Sequence, residues 1–112
     1  MPTFRQGQIV RVPFPYTDRN TRQYRPALVI SNGAIGDGES LVWVTMITSA
    51  ENRRWPGDHL ILDFAEAGLP IPSVVRTAKV TTVETRDAEP VGQINEALIA
   101  EVMATVIGAL TA

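Results

Sequence analysis

Arg19, Arg22 and Arg25 fall within seven residues, with Asp18 just before them and the apolar run Ala27-Leu28-Val29-Ile30 just after. A guanidinium offers a planar fork of donors that fits phosphate oxygens better than a lysine ammonium does. Further along, "LVWVTMITSA" brings Thr48 and Ser49 to the end of a β-prone segment, and "ENRRWPGD" then sets Trp55 beside Arg53 and Arg54. If the segment from Ala27 to Ser31 pairs antiparallel with the strand ending at Thr48, then Arg25 and Thr48-Ser49 reach the same edge of a sheet. A guanidinium and a hydroxyl facing one pocket can hold a phosphate and stabilise the charge of a pentacoordinate phosphorane without a metal. RNA supplies the nucleophile for such a reaction in its 2'-hydroxyl. Plainer roles stay open at this point, namely a surface arginine at a strand start and a threonine capping a turn.

Other chemistries have little to work with. The chain has no cysteine, which removes disulfides, thiolate nucleophiles and cysteine zinc sites, and its one histidine, His59, cannot act as both base and acid. Asp37 and Glu39 sit in a glycine-rich turn, where solvated charge is the ordinary explanation, so no metal site is expected. No G-x-S-x-G elbow, P-loop or dinucleotide fingerprint occurs, and no cofactor is expected. Twelve acidic against ten basic residues give a net charge of −2, which would argue against a nucleic-acid partner were the basic groups spread evenly. Nine of those ten are arginines, and the clusters Arg19-Arg22-Arg25 and Arg53-Arg54, with Arg76 later, keep local anion binding possible. Trp55 reads equally as a platform for an unstacked base or as a packing residue holding its loop down.

The elements that must position these groups can be read from periodicity. Gln8 to Phe14 alternates as a half-buried strand, Ala27 to Ser31 is a short buried strand, and "NGAIGDGES" supplies turn formers before the β-rich residues 41 to 48. "HLILDF" and "SVVRTAKVTTVE" offer further strands around the turn-rich "AEAGLPIP". About six short strands suggest a small barrel or sandwich. Leu98, Ile99, Val102, Met103, Val106, Ile107 and Leu110 recur at helical spacing after Asn95, a fitting N-cap, so a C-terminal helix is expected. Its thin polar face suits a groove of the sheet, or a groove plus a second subunit. At 112 residues and 45% hydrophobic content the chain fits one domain, residues 1–112. The start "MPTFRQGQ" has no apolar run of signal-peptide length, and no segment nears bilayer-spanning length, so a soluble cytoplasmic protein is expected.

Taken in order, "GQIVRVPFPYTD", "YRPALVIS", "VTMITSA" and "GLPIPSVVRTAKVTTVE", closed by a helix, resemble the MazF/PemK family of type II toxin-antitoxin toxins over nearly the whole chain. That resemblance implies a mainly β fold, an SH3-like small barrel with a C-terminal helix, and a homodimer. It implies a metal-independent endoribonuclease that cuts single-stranded RNA at a short motif, leaving 2',3'-cyclic phosphate and 5'-hydroxyl ends, and an antitoxin protein as inhibitor. By position, the family's catalytic arginine falls on Arg25 and its catalytic threonine on Thr48. Guanidinium stays protonated, so Arg25 is assigned to phosphorane stabilisation, with Asp18 a candidate base. Arg19, Arg22, Ser49, Arg53, Arg54, Trp55 and Arg76 are the candidate RNA-binding residues. Operator DNA would be reached only through the antitoxin. The same fold also admits a non-catalytic member acting by protein contact, as in CcdB-like gyrase inhibition or antitoxin and operator regulation, although the ending "IGALTA" lacks the aromatic tail of the gyrase inhibitors.

Overall fold

The computed structural model describes residues 3–15 and 22–111. Its strands are β1 (Gln8–Pro15), β2 (Arg22–Val29), β3 (Leu41–Ser49), β4 (Asp58–Ile61), β5 (Ser73–Glu84) and β6 (Glu89–Gln93), and a helix, α1 (Glu96–Leu110), follows them. They form one antiparallel sheet in the order β4-β5-β3-β2-β1-β6. The sheet curls into a half-barrel with β4 and β6 as its edge strands. The chain leaving β4 folds back over β6, where a Cβ on Gly92 would run into the Ala67 carbonyl. Only a residue without a side chain lets the two backbones touch, so closure is by packing.

Because side chains alternate along a strand, each face of the curled sheet has its own core. One cluster gathers Ile9, Leu28, Ile47, Ile61 and Val75 with Leu98 and Val102 of α1. The other gathers Val10, Val12, Ala27, Val29, Val42 and Val44 with Phe4 and Ala88. The helix belongs to the first face only. Its start is fixed as the sequence predicts, since the Leu98 amide donates to the Asn95 side chain at 2.8 Å. Gly7 takes φ +92 where a Cβ would collide with the Ile99 side chain, so the turn into β1 needs glycine for both conformation and clearance.

Three departures from the sequence reading matter. β6 was not anticipated, because Pro90 and Gly92 depress β-propensity; an edge strand tolerates both. β4 stops at Ile61, and Leu62 is 83% exposed, so "HLILDF" is a short strand followed by turns. β2 begins at Arg22 rather than Ala27, because it keeps pairing with β1 as far as Pro15 opposite Arg22. Arg25 therefore lies inside a strand and not at its mouth.

Candidate active site

The sheet divides where Arg25 and Thr48 stand. The β2–β3 ladder runs through Val29–Val44 and Leu28–Thr45 and ends at Ala27–Met46. Beyond that point β2 continues beside β1, with Arg25 opposite Val12, and β3 continues beside β5, with Thr48 opposite Val74. Carrying the same register two residues past the last pair brings Arg25 level with Thr48 across the gap. Both residues share parity with Ala27, Val29, Val42 and Val44, so both project from the face that α1 does not cover. Leu60, opposite Val74, extends the row on β4. Arg25 and Thr48 are each half-buried. A cation and a hydroxyl thus flank a seam between two branches of one sheet, at the end of an apolar core where the local dielectric is low.

One step along the same face, Asp58, Arg76 and Met46 form the neighbouring row. Arg76 and Asp58 are a buried ion pair, with Nη2 3.0 Å from Oδ2 and side chains 9% and 2% exposed. Arg76 Nε also donates to Oδ1 at 3.2 Å, and Nη2 donates to the Arg53 carbonyl at 2.7 Å. The Trp55 amide donates to Asp58 Oδ2 at 2.9 Å, and the Trp55 ring lies over the guanidinium with its centroid 4.3 Å from Cζ. This cluster clamps residues 53 to 58 onto β5. Burial by itself would raise the Asp58 carboxyl, but the Arg76 hydrogen bonds, the Trp55 amide and the charges of Arg76 and Arg54 outweigh it and hold its pKa below the usual value. Thr77, Ala78 and Lys79 fall out of register between the Thr45–Val80 and Met46–Arg76 pairs. The Thr45 hydroxyl reaches the Arg76 carbonyl at 2.5 Å and the Lys79 carbonyl at 2.9 Å, pinning both ends of this bulge. Lys79 Nζ ends 5.5 Å from the Trp55 ring. The bulge therefore turns one further cation towards the tryptophan.

The family described as PemK-like, MazF-like toxin of type II toxin-antitoxin systems matches residues 5–110. The chain belongs to this family. Among solved structures, MazF of Deinococcus radiodurans superposes with a TM-score of 0.76 at 23% identity, over 98% of each chain. MazF in a MazE-MazF crystal of the same organism gives 0.75 at 23% identity, over 98% of this chain and 97% of that one. An endoribonuclease in complex with its cognate antitoxin, from a mycobacterial species, gives 0.70 at 17% identity, over 95% and 93%. At these identities the likeness shows a shared fold. No curated protein sequence matches the chain.

In this MazF-like toxin the residues singled out from sequence separate into groups. Arg25 and Thr48 stand level on either side of the seam, and Arg53, Arg54 and Trp55 sit on the adjoining loop, exposed. Arg76 is buried in the clamp, with its guanidinium engaged by Asp58, the Arg53 carbonyl and Trp55. Ser49 pairs with Ser73 on the face of Ile47 and Val75, away from Thr48, and its hydroxyl accepts from the Glu51 amide at 3.2 Å. Asp18 and Arg19 lie outside the described residues, and Arg22 is described by its backbone at the start of β2. His59 is on the helix-covered face, where Nε2 meets the Thr105 hydroxyl at 2.8 Å. That hydroxyl also donates to the Glu101 carbonyl at 3.2 Å, so the histidine nitrogen is the donor in the pair. Sequence reasoning passed over Asn52, whose Nδ2 donates to Thr48 Oγ1 at 2.6 Å. Among the described residues no three His, Asp or Glu side chains converge, and no helix is long and apolar enough to cross a membrane. A cleft of about 550 Å³ lined by Phe4, Asn32, Gly33, Ala34, Thr85 and Arg86 shares no residue with the seam. The seam, where a cation and a hydroxyl share one face, is the candidate site.

Proposed function

We propose that this MazF-like toxin is an endoribonuclease that cuts single-stranded RNA at a short sequence motif without a metal ion. The reading is carried by the divided sheet, which sets Arg25 level with Thr48 on one open face. In the proposed step the 2'-oxygen attacks the adjacent phosphorus and the P–O5' bond breaks. The products are a 2',3'-cyclic phosphate and a 5'-hydroxyl. The 2'-hydroxyl proton passes to a base, for which Asp18, between β1 and β2 in sequence, is the candidate, and the departing 5'-oxygen takes a proton from solvent. Arg25 stabilises the phosphorane as a permanent cation, and Thr48 donates a hydrogen bond to one of its oxygens. Trp55 offers a face to an unstacked base, while Arg19, Arg22, Arg53 and Arg54 steer the backbone of the strand.

An antitoxin partner is supported by the MazE-MazF and endoribonuclease–antitoxin complexes of the same fold. A basic groove flanked by apolar residues suits an acidic, apolar segment that folds on binding. A cytoplasmic homodimer fits the same reading, and Ile107 and Leu110, 54% and 78% exposed at the end of α1, are apolar surface that a second copy would cover.

Incubating the purified toxin with a long unstructured RNA in EDTA, beside Arg25→Ala, tests the reading. Discrete cuts bearing 2',3'-cyclic phosphate ends, absent with the variant, are expected. Intact RNA after incubation with folded wild-type protein would instead identify a non-catalytic family member acting by protein contact.

A further inference from the structure

We propose that Asn52 is a positioning residue for Thr48, holding its hydroxyl so that the proton is donated to the phosphate. The proposal rests on the RNA-cleavage reading above and names how one of its two catalytic groups is oriented. A threonine hydroxyl carries one proton and two lone pairs, and a carboxamide NH2 only donates. With Asn52 Nδ2 donating to Thr48 Oγ1 at 2.6 Å, one lone pair is occupied and the hydroxyl proton must point elsewhere. Lacking that donor, a strand-end threonine commonly turns its proton to a nearby backbone carbonyl and presents a lone pair to the site, which repels an anion.

The donor is itself held on both sides. The Asn52 amide donates to the Ser49 carbonyl at 3.1 Å, and the Ala50 amide donates to the Pro72 carbonyl at 2.9 Å. Ser49, facing away from the seam, accepts the Glu51 amide at 3.2 Å and so tightens the turn that returns Asn52 over Thr48. On the other side the Arg53 carbonyl is gripped by Arg76, which is locked to Asp58. The buried ion pair thereby fixes the peptide between Arg53 and Arg54, one residue beyond the positioning residue. Asn52 itself is exposed and belongs to neither core, so its substitution leaves the fold intact. A proton aimed at an oxygen whose charge grows in the phosphorane strengthens an interaction made chiefly in the transition state. Its loss should therefore lower kcat and leave KM nearly unchanged.

The test measures single-turnover cleavage and KM for Asn52→Ala, Asn52→Asp, Thr48→Val and the Thr48→Val/Asn52→Ala double variant. Thr48 side-chain rotamers are read in wild type, Asn52→Ala and Asn52→Asp from methyl three-bond couplings. Asn52→Ala should lower kcat about tenfold, and Asn52→Asp, a pure acceptor that captures the hydroxyl proton, on the order of a hundredfold. In the Thr48→Val background the alanine change should do nothing further, because Asn52 acts only through that hydroxyl. An aspartate variant as active as wild type, or a tenfold loss that persists without the hydroxyl, overturns the proposal. Should wild type cut no RNA, the ribonuclease reading falls and the couplings alone decide. A single Thr48 rotamer that becomes averaged in Asn52→Ala supports positioning, and equal averaging in both proteins refutes it.

Discussion

Ile47 and Thr48 are neighbours on β3 yet belong to different parts of the molecule. Ile47, 1% exposed, faces the core that α1 covers, and the groups beside it there, Val75 and His59, serve packing and a strand-to-helix hydrogen bond. Thr48 faces the side without a helix, where the apolar cluster runs out and the sheet splits between β2 and β3. The polar residues of that side differ in kind from His59. Arg25 and Thr48 flank an opening, and Arg76 with Asp58 rigidifies its rim. One strand thus meets a helix-covered core on one face and the candidate site on the other.

That division makes quantitative predictions. The largest loss is expected from Arg25→Ala, on the order of 10²–10³ in the cleavage rate of the folded protein over and above any change in melting temperature, as for removal of one preorganised charge-stabilising donor. Rate measurement together with calorimetry separates the two effects. Next comes Asp58→Ala, which strands the Arg76 charge in a buried site and should cost about 3–4 kcal/mol of unfolding free energy in urea titration. The carboxyl's pKa is depressed in the folded state. Its contribution is therefore complete above the unfolded value of about 3.9 and is lost as the pH falls through the lower folded value. Wild-type stability should drop on that acid limb, and Asp58→Ala should flatten it. On the helix-covered face Leu98→Ala should cost about 3 kcal/mol and leave the kcat of the folded fraction unaltered. The smallest effect is expected from Thr105→Val, about 1 kcal/mol from the lost partner of His59, again with cleavage untouched. A rate defect in either helix-side variant would break the two-face comparison.

Much of this was legible in the chain because it is written in short-range patterns. Alternation in β1, the β-branched and aromatic content of β3, the helical spacing from Leu98 to Leu110 and the Asn95 cap are local signals, and the structure follows them. Period-two alternation also separates Ser49 from Thr48, so their opposite faces could have been read before any coordinates. The Arg76–Asp58 pair carried no local signal. Its partners come from different strands and meet only because the β3–β5 bulge and the short β4 set their register. Arg76 accordingly read as an RNA contact, whereas the fold gives its guanidinium to Asp58. Asn52 was invisible for a similar reason, since its reach to Thr48 depends on a turn closed by side chain and backbone together. The seam itself is a tertiary property. Nothing in "RPALVIS" or "VTMITSA" states that two paired strands stop pairing two residues before Arg25 and Thr48 come level.

The convergence of those two residues on one phosphate is the central claim, and a double-mutant cycle in single-turnover RNA cleavage tests it most directly. Arg25→Ala, Thr48→Val and the double variant are compared with wild type at saturating RNA. Two groups gripping the same phosphorane predict strong coupling, with the double variant little slower than Arg25→Ala alone. Losses that multiply independently would mean that Arg25 and Thr48 serve separate sites, and would contradict the account.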